Sequence, residues 1–301
     1  MPHEIHRVLR AFAAQPWFMD ARKAVQIVSA LEFRAANGVR AQPYRDQAAT
    51  PAPAAASQGK IAIVRLYGPI LPRAEAMTDI SQPAALLTKF QDAFRVAAAD
   101  SSVTAIILDI DSPGGRGDLV PETCAMIRAA RKPDRPIVAI ANTMMCSAAY
   151  WIGCGADEIS VTPSGEVGSI GAYVLHEDDS ELLDELGVRM TFIREGPRKV
   201  EANPFEPLDD TARAALQKTV RSLYDMFVAD VARGRHVAET VVRADPEKTD
   251  RHFGGGRAYG AKRAVALGMA DRVETFDQLI ARLQRQRGRS TASARRALAM
   301  L

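Results

Sequence analysis

Short apolar runs alternate with helical segments along the middle of the chain, and this alternation is the feature that most restricts its fold. The runs Ile61–Leu66, Thr104–Ile110 and Pro136–Ala141 have the length and composition of buried strands. Helices are predicted between them, over Pro83–Ala98 and Val120–Arg131. Strands that alternate with helices favour an α/β domain with a mainly parallel sheet.

Composition divides the chain into four predicted parts. Residues 1–40 show helical periodicity and are predicted to form a helical N-terminal extension. Residues 41–59 contain three prolines, many alanines and no large aliphatic residue, which is typical of a linker. The main domain is predicted over residues 60–280, and a basic, flexible tail over residues 281–301.

The second half of the main domain continues the α/β pattern. Asp209 is a predicted helix N-cap, and Gly268 a predicted helix terminator. The predicted strands are Glu158–Val161, Gly171–Leu175 and Val188–Ile193, and the predicted helices are Ala148–Gly153, Ser180–Leu186, Asp209–Arg233, Tyr259–Leu267 and one that starts at Phe276.

Charge and cysteine content argue against several classes of protein. The net charge is only +3, and the arginines concentrate in the C-terminal tail without interleaved aromatic residues, so nucleic-acid binding is not expected. Three cysteines, without metal-type spacing, predict neither a disulfide framework nor a zinc site, and no cofactor is expected. The odd cysteine count fits a reducing compartment, and the expected location is the cytoplasm. The chain has no run of 18 apolar residues and no signal-peptide core, so we expect neither a membrane span nor a signal peptide.

Ser147 lies at a predicted junction between a strand and a helix, among small residues. Such a serine can cap the helix through its hydroxyl group, or it can be an exposed nucleophile. Asp111–Gly115 follows the preceding strand and ends in Pro-Gly-Gly, a turn whose backbone N–H groups can approach a substrate oxyanion closely. Because the carboxyl ends of parallel strands share one edge, this turn and Ser147 are expected to converge, although an ordinary turn remains the alternative.

A second glycine-rich segment, Val167–Ala172, follows Ser147. Its small residues suit a strand that pairs with an extended substrate. A phosphate-binding loop is the weaker alternative, since the segment lacks both the Lys-Ser/Thr ending and the dinucleotide-binding spacing.

Four motifs in this order resemble the SppA-type signal peptide peptidase family, and most closely its bacteriophage head-maturation branch. They are Asp111–Gly115, Cys146–Trp151, Val167–Gly171 and Gly196–Leu208. The resemblance covers about residues 60–279 and implies a fold related to the Clp protease and crotonase groups. It also implies an assembly of several copies, with the site completed at subunit interfaces.

On the matching positions, the resemblance implies that Ser147 is the nucleophile and Lys199 the general base of a Ser/Lys dyad. A lysine must lose solvent or lie near positive charge to act as a base at neutral pH. The resemblance implies an oxyanion hole made by the N–H groups of Gly115 and Ala148. The residues expected to bind substrate are Gly114, Gly168, Ser169, Ile170 and Gly171.

Two rival assignments stay open at this stage. His176 could serve as the base in place of Lys199, although its acidic neighbours favour an exposed loop histidine. Cys146 could be the nucleophile, although its apolar neighbours favour a buried thiol.

The resulting expectation is a serine endopeptidase that works through an acyl-enzyme and cleaves phage scaffold or capsid precursors, in the host cytoplasm or the prohead. Portal, scaffold and capsid proteins are the implied partners. The alternatives are SppA-like degradation of signal or membrane-derived peptides, a crotonase-like acyl-CoA enzyme, and an inactive assembly protein. Neither the Ser147 motif nor the Gly115 motif contains a glutamate, which weakens the crotonase alternative.

Overall fold

A computed structural model describes residues 17–19, 60–73 and 84–286. The strands are β1 (Trp17–Met19), β2 (Lys60–Tyr67), β3 (Ile70–Leu71), β4 (Ala85–Leu86), β5 (Val103–Ser112), β6 (Gly114–Arg116), β7 (Ile137–Cys146), β8 (Glu158–Val161), β9 (Glu166–Gly168), β10 (Ala258–Gly260) and β11 (Arg272–Val273). The helices are α1 (Leu87–Ala99), α2 (Val120–Ala129), α3 (Ala148–Gly153), α4 (Ser180–Glu185), α5 (Asp210–Arg235), α6 (Glu239–Val242), α7 (Ala261–Ala266) and α8 (276–286).

A seven-stranded sheet organises the domain. Its main path runs β10-β9-β7-β5-β2, and β8 joins β7 to β11. Every pair in this sheet is parallel except β10 with β9. The predicted α/β class with a mainly parallel sheet is therefore confirmed.

The central strand β7 changes partner along its length. Val138–Ala141 pairs with β8, whereas Met144–Cys146 pairs with β9. The strand therefore extends beyond β8, and the chain reaches Ser147 at the far end of the sheet, beside β9.

A smaller four-stranded sheet, of order β1-β6-β3-β4, lies next to this end. Its strand β1 corrects the prediction of a helical extension, because Trp17–Met19 pairs antiparallel with Gly114–Arg116. Pairing with a distant edge overrides the local helical pattern there. The remainder of the predicted 1–40 extension, the predicted 41–59 linker and residues 287–301 of the predicted tail lie outside the described residues.

Apolar side chains cover both faces of the large sheet. The main core lies between one face and helices α1, α2, α3 and α5. On the other face, Leu279 and Leu283 of α8 pack against β5 and β7. Burial on both faces explains why the strands are continuous apolar runs rather than alternating ones.

Two predicted strands are wrong. Gly171–Leu175 is not a strand, because the chain turns at Gly168 and Ser169, whose φ angles are +124° and +56°. Val188–Ile193 is also irregular, with Val188 and Met190 exposed, since it meets no sheet edge within the described residues. The predicted strand Glu158–Val161 is confirmed by β8.

The helix termini follow the local sequence closely. The Asp209 carboxylate accepts a hydrogen bond from the N–H of Ala212 at 2.7 Å, which confirms this residue as the N-cap of α5. Gly268 has a φ of +79° just after α7, as predicted for a helix terminator. The predicted Tyr259–Leu267 helix is shorter than expected, because its first residues form β10. Among the described helices, none has both the length and the hydropathy needed to cross a membrane.

Candidate active site

Ser147 occupies a sharp turn between β7 and α3. Its φ of +55° and ψ of −121° are strained for a residue with a side chain, and such strain concentrates at functional sites. Two backbone hydrogen bonds hold it: its N–H donates to the Gly168 carbonyl at 2.7 Å, and its carbonyl accepts from the N–H of Trp151 at 3.0 Å. The hydroxyl group makes no capping bond, so the helix-cap alternative is not observed. Hydrolases hold a nucleophilic serine in a strand-to-helix turn of this kind. The side chain of Ser147 is nevertheless buried, at 1% exposure, rather than exposed as expected for a nucleophile.

The Pro-Gly-Gly turn lies directly against Ser147. A Cβ built on Gly114 would lie 2.9 Å from the Cβ of Ser147 and 3.0 Å from the Cys146 carbonyl oxygen, and Gly114 has a φ of +98°. A Cβ on Gly115 would clash with the backbone of Ile70. Both positions therefore require glycine, and the expected convergence of this turn with Ser147 is present. The oxyanion roles of Gly115 and Ala148 remain predictions.

The second glycine-rich segment reaches the same place through Gly168. This residue pairs with Cys146, and its carbonyl accepts the Ser147 hydrogen bond. Ser169 donates its N–H to the Arg257 carbonyl at 2.9 Å, whereas the side chain of Ile170 is buried in the main core. Gly171 stays half-buried, with Gly256 the nearest neighbour of a built Cβ at 3.8 Å. A role of these residues in substrate binding remains a prediction, and Ile170 could contribute only its backbone.

Helix α3 is fixed beneath Ser147 by two buried side chains. The Tyr150 hydroxyl donates to the Met269 carbonyl at 2.8 Å, and burial raises the pKa of Tyr150 well above its usual value, so this group stays a neutral donor. The indole N–H of Trp151 donates to Asp230 of α5 at 2.8 Å. Asp230 was not identified from sequence, since 79 residues separate it from Trp151. The one general signal is that a buried tryptophan usually donates its indole N–H to an acceptor, which does not identify the acceptor residue.

An aromatic cluster lies below the same helix. The rings of Trp151 and Phe227 stack at 4.7 Å, and the ring of Phe18 meets that of Trp151 edge-on at 5.5 Å. Phe18 is fully buried, although it belongs to the three-residue strand β1. The cluster thus connects the N-terminal strand to the helix that follows Ser147.

Among the described residues, neither candidate base forms a hydrogen bond with Ser147. Lys199 is exposed, and its side chain makes no hydrogen bond or ion pair with the described residues; its backbone N–H donates to Gly196 at 3.1 Å. His176 is half-buried rather than exposed as expected, and its Nε2 lies 3.3 Å from the Asn203 carbonyl. Cys146 is fully buried, in agreement with the expected buried thiol.

The segment that carries both candidate bases has an unusual surface. Helix α4 buries none of its side chains, and Asp179 ties it to the Lys199 loop through a 2.8 Å bond from its N–H to Pro204. The exposed apolar side chains of this segment are Leu175, Leu182, Leu186, Val188, Met190 and Ile193. Several exposed large apolar side chains within one segment are typical of a surface that contacts another molecule. Among the described residues, no cluster of His, Cys, Asp or Glu could hold a metal ion.

Comparison with known families decides the classification. The profile of Peptidase family S49 matches residues 129–290, more than half of the chain, including Ser147 and Lys199. The chain belongs to peptidase family S49. The predicted family membership is thereby confirmed.

Two curated relatives represent both branches of the resemblance. The chain is 31% identical over 216 residues to Capsid assembly protease C of Escherichia phage lambda, covering 71% of this chain and 46% of the phage protein. It is 29% identical over 188 residues to a putative signal peptide peptidase SppA of Enterococcus faecium, covering 62% of this chain and 52% of that protein. The chain thus spans about half the length of these relatives.

A solved structure also aligns with the chain. It is a mutant of the 1510-N membrane-bound stomatin-specific protease, with a TM-score of 0.46 and 15% sequence identity. The alignment covers 75% of this chain and 85% of that structure.

Proposed function

We propose that the chain is a serine endopeptidase that hydrolyses peptide bonds through an acyl-enzyme on Ser147. The observation that carries this proposal is the strained turn at Ser147, with the backbone of Gly114 packed against it. The hydroxyl oxygen attacks the scissile carbonyl, and the N–H groups of Gly115 and Ala148 donate to the oxyanion that forms. The amine leaves with the proton from the serine, and water then attacks the ester and releases Ser147.

Lys199 serves in this proposal as the base that takes the Ser147 proton and passes it to the leaving amine. Its side chain is exposed among the described residues, whereas a lysine must lose its contact with water to act as a base. The apolar surface of residues 175–193 suits contact with a second copy of the chain. Such a contact would remove water from the Lys199 loop and favour the neutral amine, so the proposed active form is a homo-oligomer with the site completed between subunits.

The proposed substrates are scaffold or capsid precursors of a phage or prophage head. Support comes from the similarity to a phage capsid assembly protease. This role would place the protein in the host cytoplasm or in the assembling prohead, with portal, scaffold and capsid proteins as partners.

Catalytic assignments are tested by Ser147→Ala, Lys199→Ala and His176→Ala in a casein-cleavage assay. The first two variants are expected to lower kcat by about 10³-fold or more, because the members of a catalytic unit act together. Lys218→Ala, an exposed lysine on α5, is the matched control and should stay active. Activity in Lys199→Ala together with its loss in His176→Ala would transfer the base to His176.

The oligomer is tested by Met190→Asp and Ile193→Asp. Val96→Asp on α1 is the control, since Val96 is also an exposed apolar residue. Light scattering should show a lower mass for the first two variants only, and their peptidase activity should fall with it. An unchanged mass with full activity would contradict a contact through this segment.

A further inference from the structure

Strand β1 lies on one edge of β6, the strand that begins at Gly114 of the Pro-Gly-Gly turn. The other edge of β6 is taken by β3, where Ile70 pairs with Gly115. On the open side, Phe18 pairs with Gly115 and Met19 with Gly114, antiparallel. The N-terminal segment thus completes a sheet that would otherwise have a free edge beside the active site.

This edge of β6 lies beside the candidate nucleophile. A Cβ built on Gly114 would meet both the Phe18 carbonyl oxygen and, at 2.9 Å, the Cβ of Ser147. The backbone of β1 and the nucleophile therefore flank the same glycine. An extended peptide commonly binds by adding a strand to a sheet edge, and a carbonyl that approaches Ser147 would pass along this one.

The side chain of Phe18 fills a closed apolar pocket. It is fully buried, with its ring centroid 5.5 Å from Trp151 and 5.9 Å from Phe227. Trp151 belongs to α3, one turn after Ser147. One aromatic anchor and a short stretch of strand pairing are the two elements by which extended peptides bind to such edges.

We propose that Trp17–Met19 is an internal pseudosubstrate that occupies the peptide-binding edge of β6, with Phe18 in the pocket formed by Trp151 and Phe227. The proposal rests on the proposed peptidase function and adds a form of autoinhibition to it. An extended substrate with a bulky apolar residue competes with β1 for this edge, so the apparent affinity for substrate falls with the fraction of molecules in which β1 is released.

The test uses the full chain with Phe18→Ala, and Phe94→Ala as the matched control. Both phenylalanines are buried core residues, but Phe94 lies on α1, away from β6. The readouts are the rate at which a fluorophosphonate labels Ser147 and the cleavage of a fluorogenic apolar peptide. Phe18→Ala should raise both rates about 10-fold, because loss of the ring weakens the packing of β1 against Trp151 and Phe227. Phe94→Ala should leave both rates unchanged.

A peptide added in trans provides a second measurement. A synthetic peptide of residues 11–25 should return Phe18→Ala to the wild-type rate, and the same peptide with Phe18→Asp should not. Lower rates in Phe18→Ala than in Phe94→Ala, or acceleration by the peptide, would show that β1 is a structural support and overturn the proposal. Should Phe18→Ala unfold at the assay temperature, Phe18→Leu is used, with the same direction and a smaller increase expected.

The two proposals fail in different ways. If Ser147 is labelled in no variant, the peptidase function fails. The edge is then tested by binding alone, with a fluorescein-labelled peptide of residues 11–25 and the Phe18→Ala chain. Displacement of this peptide by unlabelled casein peptides supports competition at the edge, and binding without displacement refutes it.

Discussion

Replacement of Asp230 by alanine removes the acceptor that holds the helix behind Ser147. One carboxylate oxygen of Asp230 accepts the Trp151 indole N–H at 2.8 Å, and the other accepts from Arg128 at 2.9 Å. Trp151 is fully buried, and the side chains of Arg128 and Asp230 are only 19% and 15% exposed. In the variant, water has little access to either donor.

The size of the effect follows from these two bonds. An unpaired buried N–H costs about 1–3 kcal/mol, and the loss of a largely buried partner of Arg128 adds to this, so we expect a total of about 2–4 kcal/mol. Asp230→Asn keeps a neutral acceptor for Trp151 and loses only the charge. Its expected cost is about half as large.

Urea unfolding at pH 7.5, followed by circular dichroism, measures these differences. Asp225→Ala is the control on the same helix, because its carboxylate pairs with Arg243 at the surface and its loss should cost no more than about 0.5 kcal/mol. In a Trp151→Phe background the indole N–H is absent, so Asp230→Ala should cost about 1 kcal/mol less than in the wild type. An equal cost in both backgrounds would refute the reasoning.

Three further predictions concern the glycine turn, acid stability and the thiols. Gly115→Ala should abolish Ser147 labelling, since its Cβ would clash with the Ile70 backbone, whereas Gly260→Ala, with no atom closer than 4.0 Å, should be labelled normally. Burial tends to raise the pKa of Asp271, but hydrogen bonds from Arg235 and a backbone N–H lower it below its usual value. The stability that Asp271 contributes is therefore fully present above the pKa of the unfolded chain, about 4, and is lost as pH falls through the pKa of the folded protein. The urea midpoints of the wild type and of Asp271→Asn should thus converge below about pH 4. A constant difference down to pH 3 would contradict this. Burial raises the pKa of the Cys124 thiol to about 12, and all three cysteines are buried. A thiol reagent at pH 8 should therefore react with none of them until the protein unfolds. Reaction with the native protein would contradict this packing.

The elements that could be predicted from sequence are those whose cause is local. The sequence predicts β8 and α3 with the bounds they have, since an apolar run and a strand-to-helix junction identify them. Strand β1 could not be predicted, because its conformation depends on pairing with β6 about 100 residues later. Val188–Ile193 has a strand-like composition, but no edge among the described strands pairs with it.

The residues of the candidate site also fall into those that the sequence predicts and those that it does not. Ser147, Gly114 and Gly168 follow parallel strands or pair with one, so the topology that brings them together could be inferred from the order of the elements. The position of Lys199 could not be inferred, because it lies in a loop that follows residues 175–193, whose apolar side chains are exposed in the single chain. Asp230 was missed because its contact with Trp151 arises only when α5 packs on α3.

The pairing of β1 with β6 also has a consequence for the order of events during synthesis. Both strands leave the ribosome before Ser147 does, so their backbones can pair before the nucleophile exists. Phe227, which completes the aromatic cluster around Phe18, follows only about 80 residues after Ser147. A nascent chain thus passes through a stage in which the serine is present and the Phe18 ring still lacks its contact with Phe227. During that stage, β1 is at its easiest to displace.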